Sequence, residues 1–213
     1  MKKKAVLLFT LALLLTGCQQ KVITVADIQT EDDGQKPDYI KMQEIELKDT
    51  KMASSESDGD DVRYCALLIP AGYKPSEEIE GMYVHERSPL DSSNIYYTVS
   101  AGDSDGQVSD ELTEKVYEET VEDAFEEAGQ KVDLQIEAFE TIDMDGVPGY
   151  KIKSYYEAED TRIEQLTYLI MSDNTYTITY SQVADDELMA DFEISNEEIR
   201  LIRDEDVSLA KSK

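Results

Sequence analysis

From residue 62 onwards, the chain alternates apolar and polar residues in the way that predicts β-strands. Near its end, Tyr176, Ile178 and Tyr180 alternate with Thr177 and Thr179, which is the two-residue period of a strand with one buried and one solvated face. Stretches of this kind, and short apolar runs bounded by turn residues, predict seven strands. They cover residues 62–69, 82–86, 95–101, 134–142, 150–157, 162–171 and 175–183.

One long amphipathic helix is predicted over residues 109–128. Ser109 can cap its N-terminus, and Gly129 can end it in a left-handed conformation. The apolar residues that recur at helical spacing are Leu112, Val116, Val121, Ala124, Phe125 and Ala128. They form one face, which predicts a helix packed against a sheet.

A second helical pattern lies near the C-terminus. Ser195 and Glu198 form a capping box that leads into Ile199, Leu201 and Ile202. The order is therefore strands, one long helix, strands and short C-terminal helices. This order predicts an α+β fold in which helices pack on an antiparallel sheet, rather than repeated βαβ units.

The N-terminus predicts export. Three lysines precede an apolar run over residues 5–15, which is too short to span a bilayer as a helix (about 20 residues are needed) but fits a signal-peptide core. The next residues, Leu15-Thr16-Gly17-Cys18, resemble the bacterial lipobox. This resemblance implies a signal peptide over residues 1–17, cleavage before Cys18, and a diacylglycerol with palmitate-type chains on the Cys18 thiol. A plain signal peptide or a short membrane anchor with an incidental cysteine are the alternatives.

Two acyl chains hold a protein stably at a membrane, so we expect a lipid-anchored protein on the extracytoplasmic side of the cell membrane. Residues 18–61 are predicted to be an acidic flexible tether, because much of this segment is too polar to bury a core. Short apolar patches at 22–26 and 45–47 leave pairing with the sheet open. The folded domain is predicted over residues 62–205, with a tail over 206–213.

Composition restricts the function further. The 213 residues carry a net charge of −28, which repels phosphate backbones and excludes nucleic-acid binding driven by counterion release. Two cysteines and one histidine give no basis for a disulfide framework, a Cys-rich zinc site or histidine-dependent catalysis. We therefore expect no catalytic residue, no metal site and no cofactor.

Two segments carry a further resemblance. Ile69-Pro70-Ala71-Gly72-Tyr73 closes the first predicted strand, and Gly146-Val147-Pro148-Gly149-Tyr150 enters a middle one, after a predicted tight turn. With the tyrosine-rich last hairpin and residues 192–202, they make the region 62–203 similar to the PsbP-like superfamily. That superfamily contains a photosystem II extrinsic subunit, a Ran-binding nuclear transport factor and many bacterial lipoproteins. The resemblance implies an α/β/α sandwich with about six to seven strands, and an accessory role, but no site residue.

The loop before the predicted helix contains a candidate nucleophile. Gly102-Asp103-Ser104-Asp105-Gly106 matches the nucleophile elbow of α/β-hydrolases. However, the two aspartates oppose a developing oxyanion, and His85 precedes Ser104 whereas these hydrolases place histidine last. A polar turn-rich loop is the preferred interpretation. The loop also resembles part of a calcium loop, but Ala101 and Leu112 occupy ligand positions, so only an irregular calcium site is left open.

Three further features have two interpretations each. Nine acidic residues on the predicted helix, against Lys115 alone, indicate a solvated face more than a docking face for a basic partner. Cys65 lies in an apolar run and is interpreted as a small buried hydrophobic residue rather than a reactive thiol. Thirteen tyrosines suit a sheet with one wet face, or a groove that stacks on a sugar or peptide.

The sequence therefore predicts a non-catalytic binding or accessory module, with an envelope protein as the leading partner. A small-molecule or glycan-binding protein with a tyrosine-lined groove is the alternative. A serine hydrolase using Ser104 is a distant third. The sequence identifies no binding residue for any of these functions.

Overall fold

The computed structural model describes residues 22–26, 39–47, 62–88, 92–101, 112–144, 146–158, 160–172, 174–183, 189, 192 and 199–203. They form one helix and eleven strands, and Met189 and Phe192 are also helical. The helix is α1 (Glu114–Glu127), between β6 and β7. The strands are β1 (Val22–Ala26), β2 (Tyr39–Leu47), β3 (Val62–Pro70), β4 (Tyr73–Pro75), β5 (Met82–His85), β6 (Asn94–Ala101), β7 (Gln135–Met144), β8 (Val147–Ala158), β9 (Thr161–Met171), β10 (Asn174–Val183) and β11 (Arg200–Arg203).

The strands form two antiparallel sheets. The small sheet has four strands in the order β1-β2-β3-β11, and the large sheet has seven in the order β4-β5-β6-β10-β9-β8-β7. In the large sheet β10 is central and pairs with β6 on one side and β9 on the other. The seven strands predicted from residue 62 onwards are confirmed as β3 and β5 to β10, apart from small shifts at their ends.

The hydrophobic core lies between the two sheets, on the side that we call the inner face of the large sheet. From β10, Tyr176, Ile178 and Tyr180 are at most 1% exposed. Leu67 and Ile69 of β3 belong to the same cluster of buried residues. Fully burying a side chain of this size contributes about 1.5–3 kcal/mol, so this layer dominates the stability of the domain.

Aromatic rings fill much of this core. Tyr180 lies 4.9 Å from Phe192 and 6.3 Å from Tyr168, and Tyr73 lies 5.9 Å from Phe192, as measured between ring centroids. The buried Tyr73 hydroxyl is 2.7 Å from Ser93 Oγ, so this ring satisfies its polar end inside the protein.

Helix α1 packs on the opposite side, the outer face of the large sheet. Tyr117 contacts Phe139 of β7 at 6.4 Å, and Phe125 contacts Tyr156 of β8 at 5.0 Å between ring centroids. The predicted apolar helix face is therefore confirmed only in part: Val121 and Phe125 lie toward the sheet, whereas Val116 is 45% exposed and Ala124 and Ala128 are exposed. Within the described ranges, no helix combines the length and apolar character that crossing a membrane requires.

The helix starts later than predicted. Thr113, not Ser109, is the N-cap, because its side-chain oxygen accepts a hydrogen bond from the Val116 amide at 3.3 Å. Ser109 lies outside the described residues. At the other end, Gly129 has the expected positive φ of 80°, and its amide donates to the Glu126 carbonyl.

Two parts of the predicted tether belong to the small sheet instead. β1 and β2 fall within residues 18–61, and β2 pairs with β3 over six residues. Met42, Ile45 and Leu47 are at most 4% exposed. These apolar positions bury against the rest of the domain, so the folded unit begins well before residue 62.

The C-terminal prediction needs a second correction. The helix expected to continue through Leu201 and Ile202 is instead β11, which pairs with β3. The open edge of β3 offers backbone partners that local helical propensity cannot outweigh. The predicted α/β/α sandwich is not confirmed: the described inner face is covered by the small sheet, and most of residues 184–198 lie outside the described part.

Candidate functional site

A cavity of about 630 Å³ lies between α1 and the outer face of the large sheet. Eighteen residues line it, from α1, from the strands β5, β6, β8, β9 and β10, and from the segments that flank them. Its floor consists of six side chains on the two central strands. They are Gln165, Thr167 and Leu169 of β9, and Thr177, Thr179 and Ser181 of β10.

The floor is polar because its side chains lie on the outer face of β9 and β10, and the inner face of these strands carries the apolar core residues. The register places Thr179 opposite Thr167, and Ser181 opposite Gln165. The two threonine hydroxyls are 3.2 Å apart, and the Gln165 amide donates to Ser181 Oγ at 3.1 Å. We call Thr167, Thr177, Thr179 and Ser181 the hydroxyl patch. Each hydroxyl can donate one hydrogen bond and accept two, so pairing leaves this patch further capacity for a ligand.

The helix forms an apolar wall over one side of the floor. Val121 and Phe125 line the cavity from α1, and Tyr156 lines it from β8 beneath Phe125. Tyr117 joins the wall to the floor through a hydrogen bond with Thr167. Burial raises the pKa of the Tyr117 hydroxyl, and the hydrogen bond with Thr167 offsets part of that rise. The hydroxyl therefore stays protonated at neutral pH.

A side-chain contact fixes the helix to the sheet. Glu122 Oε1 accepts a hydrogen bond of 2.9 Å from the backbone amide of Leu134, the residue just before β7. Leu134 is 1% exposed. This hydrogen bond and the ring contacts of Tyr117 and Phe125 attach α1 to the β7–β8 side of the large sheet.

The other side of the cavity carries an exposed aromatic ring. Tyr96 of β6 lies opposite Thr179 in the sheet register and is 38% exposed. Met82 of β5 pairs with Tyr96 from the far side, and Asn94 lies opposite Ser181. The described ring contacts of α1 are with β7 and β8, so Tyr96 is left as an open rim.

The described lining of the site is uncharged, although the protein is strongly acidic. None of the described residues that line it carries a charged side chain, although the chain has a net charge of −28. Its titratable groups are tyrosines, and burial raises the pKa values of Tyr117 and Tyr156. The lining thus combines hydroxyls, amides, aliphatic groups and aromatic rings, which is the chemistry of a site for a neutral molecule.

Several sequence-predicted site residues cannot be placed at this cavity. Three of them lie outside the described residues: the predicted lipidation residue Cys18, the candidate nucleophile Ser104 and the candidate calcium loop over 102–106. In the part of the chain that the structure describes, no three His, Cys, Asp or Glu side chains group in a way that could hold a metal ion.

His85 and Cys65 both lie away from the cavity. His85 ends β5, and its ring packs edge-on against Tyr73 at 5.2 Å. Cys65 is fully buried between the sheets, as predicted. Burial raises the pKa of the Cys65 thiol to about 12, so the thiol is protonated and unreactive in the folded state.

The acidic side of α1 is largely solvated, as expected. Glu114, Asp123 and Glu127 are exposed. Lys115 forms an ion pair with Glu119 at 3.2 Å, one helical turn along, and the two side chains are 80% and 61% exposed. The carboxylates are therefore spread along the helix and do not converge on one point.

Sequence reasoning missed the floor of the cavity. The cavity as a whole is lined by three tyrosines, Tyr96, Tyr117 and Tyr156, which agrees with the tyrosine-lined groove that was predicted from the sequence as an alternative. The hydroxyl patch, however, had the alternation expected of a face turned to solvent. One feature of the sequence could have indicated the cavity. The predicted apolar face of the helix has to pack on one face of the sheet, so apolar helix residues and polar strand residues would line the same space.

Comparisons with known proteins agree with this architecture. No protein-family model matches the chain, and no curated protein is similar to it. The chain is similar to the solution structure of cyanobacterial PsbP (CyanoP) from Synechocystis sp. PCC 6803, with a TM-score of 0.54 and 16% identity over 75% of this chain and 92% of that chain.

A weaker likeness is to LpqN, which is involved in cell envelope biogenesis of Mycobacterium tuberculosis. The TM-score is 0.40 and the identity 15%, over 75% of this chain and 91% of that chain. At these identities the likeness to CyanoP concerns the backbone alone. Together with the described sheets and helix, it shows that the chain has a PsbP-like fold.

Proposed function

We propose that the protein is a non-catalytic binding module, held by a lipid on Cys18 at the extracytoplasmic face of the cell membrane. The observation that carries the binding role is the uncharged cavity between α1 and the large sheet. Reversible binding needs a concave, mostly apolar site with a few polar groups. Acid–base or nucleophilic catalysis instead needs a titratable group matched to neutral pH or an activated nucleophile.

The location rests on the leader and the four residues that end in Cys18. Two acyl chains on that cysteine would keep the domain at the membrane without a spanning helix. The net charge of −28 would repel the domain from anionic head groups. The domain would therefore stand off the bilayer, with its cavity accessible from solvent.

Two ligand classes have separate support. An envelope protein with a basic surface is favoured by the solvated carboxylates of Glu119, Asp123 and Glu126 on α1. A small molecule or glycan is favoured by the cavity with its three tyrosines. A serine hydrolase using Ser104 is the most distant candidate, and Ser104→Ala would abolish turnover only in that case.

Metabolic labelling with an alkyne analogue of palmitate tests the anchor. We expect the wild-type protein to take up the label and fractionate with membranes, and Cys18→Ala to lose both properties. Cys65→Ala is the matched control, because it removes the other cysteine of the chain and should keep the label. An unlabelled wild-type protein, or a label that survives in Cys18→Ala, would refute the anchor.

Crosslinking in intact cells tests the protein partner. We expect one envelope protein to be captured by the wild type and lost when Glu119, Asp123 and Glu126 are changed to lysine. Changing the exposed Glu77 and Glu78 to lysine is the control and should leave capture intact. Equal capture by both variants would show that α1 is not the docking surface.

A further inference from the structure

We infer that the cavity binds a neutral carbohydrate, with Tyr96 and the hydroxyl patch as its recognition residues. This inference rests on the proposed binding function and adds the chemical class of the ligand. It draws on three properties of the site: its charge, its hydrogen-bonding groups and its aromatic rim.

Charge excludes ionic ligands. An anion would find no cationic side chain in the described lining and would be repelled by the net charge of −28. A cation would find no carboxylate in that lining, and burying an unpaired charge is strongly unfavourable. The described lining therefore disfavours ligands of either charge.

The hydrogen-bonding groups favour a polyhydroxylated molecule. Hydroxyls and side-chain amides both donate and accept, as the hydroxyls of a sugar do. A purely apolar ligand would cover the hydrogen-bonding capacity that the hydroxyl patch still has after its side-chain pairings, which carries a desolvation penalty. A peptide that binds by strand addition would need a free sheet edge, whereas β10 already pairs with strands on both sides.

The aromatic rim of the cavity supplies the apolar surface on which a sugar ring would stack. One face of a sugar ring presents C–H groups, and the face of an aromatic ring carries the complementary negative potential. Tyr96 is exposed at the rim, while Tyr117 and Tyr156 lie on the helix side of the cavity. The volume of about 630 Å³ falls in the range of small-ligand sites, roughly 300–1,000 Å³.

Calorimetry with the full-length protein tests the ligand class, in a detergent that has no sugar head group. The probes are glucose, galactose, N-acetylglucosamine, maltose and cellobiose, compared with glucuronate, glucose 6-phosphate and glucosamine. We expect at least one neutral sugar to bind and its charged analogue to bind at least about tenfold more weakly. Absence of binding by every neutral sugar, or equal binding of the charged analogues, would overturn the inference.

Matched variants then test the site with the sugar that binds. We expect Tyr96→Ala to weaken binding about tenfold and Tyr96→Phe to retain it, because the ring provides the contact. Thr179→Val should weaken binding about three- to tenfold. Thr98→Val is its control: Thr98 lies opposite Thr177 on the same face of the sheet but does not line the cavity.

The outcomes separate this inference from the proposed function. Unchanged affinity in both Tyr96→Ala and Thr179→Val would place the sugar elsewhere and refute the assigned site. Tyr96 is exposed, so Tyr96→Ala decides the question even if Thr179→Val fails to fold. A protein that carries the lipid and captures its partner but binds no sugar would refute only the ligand class.

Discussion

The two faces of β10 show how one strand serves two purposes. On the inner face, Tyr176, Ile178 and Tyr180 are at most 1% exposed to solvent, and they belong to the same buried cluster as residues of the small sheet. On the outer face, Thr177 and Thr179 line a cavity of about 630 Å³ under α1. The same backbone therefore separates a packed core from an open cavity with a polar floor by the thickness of one sheet.

This difference shows where the protein can change without unfolding. Inner-face residues are held by close packing, in which a lost methylene group leaves a void. Outer-face residues are held by hydrogen bonds between neighbouring strands, such as Thr167 with Thr179 and Gln165 with Ser181. Such bonds contribute about 1 kcal/mol each, so the floor can be altered at modest cost to the fold.

The sharpest test of this comparison uses adjacent residues on opposite faces. We expect Ile178→Ala to lower the free energy of unfolding by about 2–5 kcal/mol, because it leaves a cavity in the core. Thr179→Val should lower it by less than about 1.5 kcal/mol. Urea unfolding followed by circular dichroism measures both values, and similar losses would show that the faces are not energetically distinct.

Alkaline pH provides the second test, through Cys65 on the core side. Burial raises the pKa of this thiol from 9.0 to about 12, so the folded state disfavours the thiolate. The protonated Cys65 thiol therefore makes its full contribution to the free energy of unfolding below pH 9, and this contribution falls as the pH rises from 9 to 12. Between pH 8.5 and 10 the wild type should lose about 1 kcal/mol more than Cys65→Val. Parallel pH profiles in urea unfolding would contradict the burial of the thiol.

Tyr117 tests the link between the helix and the floor. We expect Tyr117→Phe to lower the free energy of unfolding by about 1 kcal/mol, since it removes the hydrogen bond with Thr167. Tyr96→Phe is the control: it makes the same chemical change on a ring that is 38% exposed and should have almost no effect. Equal losses from the two variants, measured by urea unfolding, would argue against the helix–floor contact.

The smallest effect is expected on the solvated side of α1. Lys115→Gln removes the ion pair with Glu119 and should cost about 0.3 kcal/mol at low salt. The difference should vanish in about 1 M salt, where screening acts over roughly 3 Å. Thermal unfolding at the two salt concentrations measures it, with Lys131→Gln as an exposed control. A loss above 1 kcal/mol would mean that the pair is more than a surface contact.

Local patterns predicted the elements of the large sheet well. Alternation with a period of two and short apolar runs bounded by turn residues depend only on neighbouring residues. Together they predicted β3 and β5 to β10, but not the three-residue strand β4. The tight turn before the middle strand was also predicted from local turn residues, and Gly146 has a φ of 86° between β7 and β8. The lipidation of Cys18 stays a prediction, because it depends on an enzyme outside the fold.

Pairing between distant segments could not be predicted from the same patterns. β2 and β11 join the small sheet through β3, and Glu44 forms an ion pair with Arg200, 156 residues further along the chain. A short apolar patch in an acidic segment and a capping-box pattern gave no indication of this partner. The energy that selects the sheet there comes from burial and ladder hydrogen bonds with β3, which exist only in the folded domain.

From the sequence by itself, most strands of the large sheet, the long helix and its acidic side were predicted, and export stays a prediction, whereas the order in which the strands pair came from the tertiary structure. Only the tertiary structure decided that a second sheet covers the inner face and that α1 encloses a neutral cavity on the outer face. The physical reason is the distance along the sequence over which each feature is determined. Periodicity and charge are properties of residues that are close together in the sequence. A cavity instead forms where side chains from separate strands and a helix meet, and where their shapes leave space between them.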